Sequence, residues 1–74
     1  MKKIDYIEIL KNSVYIEYSD GDIQYLSFTK AKQIIRLLNQ KQFNFYCFDN
    51  EKSNLFLNSL LTHYKISNNL LILR

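Results

Sequence analysis

Apolar and polar residues alternate along the first third of the chain, over residues 3–11, 14–19 and 22–28, the pattern of half-buried strands. In the first run Ile7 and Ile9 take one side, and Ile4, Tyr6, Glu8 and Leu10 the other. Two reversals separate the runs. Asn12-Ser13 has the composition of a tight turn. Asp20-Gly21, with the only glycine in a proline-free chain, is a strong hairpin signal and predicts a type I′ turn, in which both central residues take φ > 0.

Each turn implies a register. With Asn12-Ser13 as the loop, Lys11 faces Val14, Leu10 faces Tyr15, Ile9 faces Ile16, Glu8 faces Glu17 and Ile7 faces Tyr18. With Asp20-Gly21 as the loop, Tyr18 faces Ile23, Glu17 faces Gln24, Ile16 faces Tyr25 and Tyr15 faces Leu26. Both place Ile7, Ile9, Val14, Ile16, Tyr18, Ile23 and Tyr25 on one face of a three-stranded antiparallel meander. The opposite face is expected to carry Tyr6, Glu8, Leu10, Tyr15, Glu17, Gln24 and Leu26, with Phe28 at its end.

The period then lengthens. Thr29 is the expected N-cap of a helix over Lys30–Gln40, with Ala31, Ile34, Ile35 and Leu38 on its apolar stripe and Lys32, Gln33, Arg36, Asn39 and Gln40 opposite. Phe43–Phe48 is aromatic on both sides and too short for a helix, so it reads as a strand. Asp49-Asn50 offers a cap, and Glu51 suits the N-terminal end of a helix dipole. That second helix reaches about Lys65, with Phe56, Leu57, Leu60, Leu61 and Tyr64 as its stripe. Asn68-Asn69 turns the chain into a short apolar strand, Leu70–Leu73. The reading is one α+β domain over residues 1–74, of order βββαβαβ: a three-stranded antiparallel meander followed by α-β-α-β. It forms one mainly antiparallel sheet with both helices on one face. A parallel crossover between the last two strands is compatible with the helix that joins them.

A 74-residue chain has a small core, and six Tyr and five Phe supply much of its packing area. One cysteine allows no internal disulfide and fits a reducing cytoplasm. Lys2-Lys3 is a basic start, but Asp5 and Glu8 break the apolar run a signal peptide needs, and no stretch approaches the ~20 apolar residues of a membrane span. Phe, Tyr, Met, Ile, Asn and Lys make up half of the chain, as in AT-rich coding sequences of low-GC bacteria, their phages and plasmids. The net charge of +3 is modest, but unevenly spread. Asp5, Glu8, Glu17, Asp20 and Asp22 cluster early, and no acid lies between Asp22 and Asp49.

Chemistry is sparse. The far sheet face, with Tyr6, Glu8, Leu10, Tyr15, Glu17 and Leu26, is an apolar, acid-flanked patch of the kind that marks an interface, unless a helix covers it. Glu8 and Glu17, expected opposite one another, are read as a like-charge pair with no third polar group for catalysis. Lys30, Lys32, Arg36 and Lys41 form the alternative, a basic face able to meet phosphates weakly and in a salt-sensitive way. Cys47 and His63 are each single, and Cys47 in an aromatic strand reads as a small buried hydrophobe. No glycine-rich phosphate loop or metal-ligand spacing is present. The expectation is a non-catalytic cytoplasmic protein-binding module without cofactor, metal, membrane or small-molecule substrate. It would be a regulator or inhibitor of phage or plasmid type, one that blocks a host defence nuclease complex for instance, acting on a foreign partner or as a homodimer. The alternative expectation is nucleic-acid binding through the first helix.

Overall fold

The computed structural model describes residues 3–37, 44–64 and 70–73. Its elements run β1 (Ile4–Ile9), β2 (Val14–Tyr18), β3 (Ile23–Leu26), α1 (Phe28–Leu37), β4 (Asn44–Phe48), α2 (Glu51–Tyr64) and β5 (Leu70–Leu73). They form one sheet of order β3-β2-β1-β4-β5. The order βββαβαβ is as expected, but the sheet is mixed. β1–β2 and β2–β3 are antiparallel, whereas β1–β4 and β4–β5 are parallel. The parallel half follows from the helices: each carries the chain back along the sheet to the end opposite the one it left, so that the next strand runs parallel, as in a βαβ connection.

The first hairpin closes differently from expectation. Leu10 N–H donates to Ser13 O at 2.8 Å, so residues 10–13 all belong to the loop. Ile9 then pairs with Val14, Glu8 with Tyr15 and Ile7 with Ile16, two positions from the predicted register. An even shift leaves every side chain on its expected face. The phase changes only at Asp5, where a bulge lets Ile4 pair with Tyr18 while Tyr6 pairs with Glu17. Ile4, expected beside Tyr6, is therefore in the core at 1% exposure. Ser19 holds the bulge through its N–H to Lys3 O and its hydroxyl to Asp5 Oδ1, at 2.8 and 2.7 Å.

The second hairpin shifts by one residue, and this inverts β3. Tyr18 N–H donates to Asp22 O and Gly21 N–H to Tyr18 O, at 2.9 and 3.1 Å, which makes Ser19-Asp20-Gly21 a three-residue loop. Gly21 has positive φ, at 94°, and stands at the last position of this loop rather than at the second of two. The arrangement is that of a turn followed by a left-handed glycine bulge. The Asp20 carboxylate braces it by accepting Asp22 N–H at 3.0 Å. Tyr15 now faces Tyr25, Ile16 faces Gln24, Glu17 faces Ile23 and Val14 faces Leu26. Leu26 and Gln24 turn toward the helices, and Ile23 and Tyr25 away from them, the reverse of the predicted sides. Leu26 packs on the core, and Tyr18 Oη donates to Gln24 Oε1 at 2.5 Å.

Both helices bury their stripes against the inner face. Ala31 and Ile35 of α1, and Phe56, Leu57 and Leu60 of α2, join Ile4, Ile7, Ile9, Val14, Ile16, Phe45 and Cys47 in one core. Helix α1 begins at Phe28, two residues before the predicted start, and its cap is Ser27 rather than Thr29: Lys30 N–H donates to Ser27 Oγ at 3.3 Å. Phe28, placed at the end of the outer face by sequence, instead stacks on Phe56 with ring centroids 4.9 Å apart and joins the two helices. Asn50 caps α2, its Oδ1 accepting Ser53 N–H at 2.8 Å. Buried Ser53 donates its hydroxyl to Leu10 O at 2.6 Å, tying α2 to the first loop. Leu38–Gln40, Phe43, Lys65 and Asn68-Asn69 lie outside the described residues.

The inverted β3 is testable by stability. Leu26→Ala should cost about 1–3 kcal/mol, as for a large-to-small change at a packed site. Ile23→Ala should cost less than about 1 kcal/mol, as at exposed positions. Urea midpoints of the two variants measure this, and the predicted type I′ register requires the opposite ranking.

Candidate binding face

The sheet surface away from the helices is built by the alternation of four strands. β1 contributes Tyr6 and Glu8, β2 Tyr15 and Glu17, β3 Ile23 and Tyr25, and β4 Asn44 and Tyr46. Register arranges them in two cross-strand rows. One reads Tyr46, Glu8, Tyr15, Tyr25; the next reads Asn44, Tyr6, Glu17, Ile23. Glu8 and Glu17 are thus diagonal neighbours rather than the directly opposed pair that the sequence suggested, and each faces a tyrosine on the adjacent strand. The offset removes the cost of like charges set opposite one another.

The four rings form a continuous array. Tyr6 lies 5.1 Å from Tyr46 and 5.9 Å, edge-on, from Tyr15, and Tyr15 lies 5.1 Å from Tyr25. Tilted and edge contacts at these separations stabilise by about 0.5–1.5 kcal/mol each. Two of the hydroxyls are spent within the array: Tyr6 Oη donates to Glu8 Oε1, and Tyr15 Oη to Glu17 Oε2 at 2.9 Å. Among the described residues no lysine or arginine forms an ion pair with either carboxylate. Tyr6, Glu8, Leu10, Tyr15, Glu17, Ile23 and Tyr25 line an open depression of about 340 Å³. Its rim on β3 is apolar and uncovered, with Ile23 at 55% and Tyr25 at 67% exposure.

Of the residues named from sequence, Tyr6, Glu8, Leu10, Tyr15 and Glu17 come together here, and Leu26 does not. Tyr25, Ile23 and Tyr46 were missed. The signal for the first two was Ser19 before Asp20-Gly21, which makes a three-residue loop with glycine at its left-handed position as good a reading as the two-residue one. Tyr46 had no such signal, because Phe43–Phe48 is apolar on both sides and carries no phase.

The basic positions are dispersed. Lys30 and Arg36 are exposed and Lys32 is half-buried, while Lys41 lies outside the described residues. At roughly 100° per residue Lys32 and Arg36 share a face, and Lys30 lies about 120–160° away. Cys47 is fully buried, its Sγ 3.3 Å from Phe48 O and 3.5 Å from Asn54 Oδ1. Burial, then the Asp49 charge, push the thiol pKa up, which disfavours the reactive thiolate. The His63 side chain lies outside the described residues. Among the described residues no three His, Cys, Asp or Glu side chains are grouped to hold a metal ion, and no helix is long and apolar enough to cross a membrane.

The carboxylates alter the phenols. Burial, followed by the bond to Glu8, raises the Tyr6 pKa well above the ordinary phenol value. The bond to Glu17, followed by burial, pushes Tyr15 up to about 12. Between pH about 10 and about 12 the unfolded chain has lost protons that the fold retains, so rising pH favours unfolding. The contribution is complete below pH about 10 and lost as pH passes through about 12. Phenolate absorbance should therefore show Tyr15 titrating near 12, and Glu17→Gln should bring it back toward 10. An unchanged midpoint in the variant would mean that the hydroxyl does not bond Glu17 in solution.

Comparison of the chain with protein-family models, with curated proteins and with solved structures gave no match.

Proposed function

We propose that this chain is a non-catalytic protein-binding module that works by occupying a partner's surface with its tyrosine–glutamate sheet face, as a regulator or inhibitor does. The carrying observation is the array of Tyr46, Tyr6, Tyr15 and Tyr25 on the sheet face opposite both helices. Tyrosine presents a large, rigid, amphipathic area at small entropic cost, which is why it is enriched in binding surfaces. A face of phenylalanine would drive the free protein to aggregate in water, and a face of lysine and glutamate would offer little area to bury. The open depression suits the side chains of a docking segment better than a substrate that must be enclosed for chemistry. The basic stripe of α1 is the weaker surface for nucleic acid, since few cations share one side of it and the sheet face carries carboxylates.

The test uses the chain as bait in extracts of its source cell, with captured proteins identified by mass spectrometry. Ile23→Thr with Tyr25→Thr keeps strand propensity at exposed positions and gives up the Tyr15–Tyr25 ring contact, so the chain should stay folded with its melting temperature lowered by about 10 °C or less. That double variant should release the captured protein, and Lys32→Glu with Arg36→Glu should retain it. The reverse pattern would assign function to the helix and refute the proposal.

A further inference from the structure

We infer that the occupant of this face is an arginine-bearing segment of a different protein, whose guanidinium groups stack on the tyrosines and pair with Glu8 and Glu17. The inference rests on the reading of the face as a docking surface and adds the chemistry of what docks. It starts from charge. The carboxylates stand within the ring array, not on its margin: Glu8 lies between Tyr46 and Tyr15 in its row, and Glu17 between Tyr6 and Ile23. Each carboxylate accepts a tyrosine hydroxyl on one oxygen, which fixes its direction and leaves the second oxygen and a lone pair of the first for an outside donor. No cation of the described residues forms an ion pair with either. A partner burying this face without supplying positive charge would strand two carboxylates, whose lost hydration nothing would replace.

Geometry selects arginine over lysine. A guanidinium is planar, stacks on an aromatic face within about 6 Å of the centroid, and donates two parallel bonds to a carboxylate. Here rings spaced 5.1–5.9 Å apart alternate with carboxylates, so one group meets both demands. Lysine offers a point charge with no planar match. The same charges argue against a second copy of this chain. A two-fold pairing through the face would set Glu8 and Glu17 of one copy near those of the other. Nucleic acid is repelled for the same reason.

The experiment titrates the full chain with tetra-arginine and, separately, tetra-lysine, following backbone-amide NMR shifts. The chain's own charge of +3 opposes nonspecific attraction of either peptide, so binding must be local. Tetra-arginine should shift the amides of Tyr6, Glu8, Tyr15 and Glu17, and bind about fivefold or more tighter than tetra-lysine. Glu8→Gln with Glu17→Gln keeps an acceptor for each tyrosine hydroxyl and should weaken tetra-arginine about tenfold. Should that pair disturb the amide spectrum of the free protein, Glu17→Gln alone serves, with a smaller loss in the same direction. Equal affinity for the two peptides, indifference to the glutamines, or no shift on this face would overturn the inference. If it falls while Ile23→Thr with Tyr25→Thr still releases the captured protein, the face docks a partner of other chemistry. If that release also fails, the face is not the docking surface.

Discussion

Gly21, at φ 94°, closes the three-residue reversal from which the phase of β3 follows. A left-handed backbone at this position is nearly free for glycine and costs roughly 1–2 kcal/mol for other residues. Its presence allows Tyr18 and Asp22 to bond across a loop of odd length. Odd length sets which residues of β3 meet the helices. Leu26 goes in, and Ile23 and Tyr25 go out to meet Glu17 and Tyr15. Had the loop held two residues, the core would gain Ile23 and Tyr25, and the tyrosine array would end at β2. One backbone conformation thus decides both the edge of the core and the extent of the candidate site.

The outer face reconciles two demands that usually conflict. A small protein needs aromatic area for stability, yet a bare aromatic sheet invites aggregation. Tyrosines joined ring to ring supply packing along the sheet, and the hydroxyls of Tyr6 and Tyr15 end on carboxylates that keep the surface hydrated and charged. The carboxylates also disfavour stacking of identical faces. Stability of the free chain and selectivity of the proposed docking surface therefore draw on the same side chains, and a change to Glu8 or Glu17 should be felt in both.

Much of this was legible in the sequence because two-residue periodicity is insensitive to even errors. The first hairpin is displaced by two positions from the register that Asn12-Ser13 implied, and its inner residues Ile7, Ile9, Val14 and Ile16 still face the core. The helices and their stripes were legible for the same kind of reason, since a 3.6-residue period tolerates a start displaced from Lys30 to Phe28. Odd errors were fatal. The bulge at Asp5 sent Ile4 inward, and the loop at Gly21 exchanged Leu26 for Tyr25. Ile23-Gln24-Tyr25-Leu26 is apolar on both faces but for Gln24, so its pattern could not correct the turn. The parallel pairing of β4 with β1 was beyond reach as well, because Phe-Tyr-Cys-Phe names a buried strand but not its neighbour.

Charge separation gives the face its polarity. Asp5, Glu8, Glu17, Asp20 and Asp22 all lie on the two hairpins, while Lys30, Lys32 and Arg36 ride on α1, behind the sheet. The chain is basic as a whole, while the charged residues at the outward strand positions are Glu8 and Glu17. Net charge alone suggests a polyanion, and the local field on the tyrosine face suggests the opposite. The local field would govern the proposed docking, because charges beyond about 8 Å are screened at physiological salt, whereas a group docked on this face would sit in contact with the carboxylates. For a face in which carboxylates and rings alternate at van der Waals spacing, a planar cation satisfies both with least desolvation left uncompensated. A polyanion satisfies neither, whatever the sign of the sum over the whole chain.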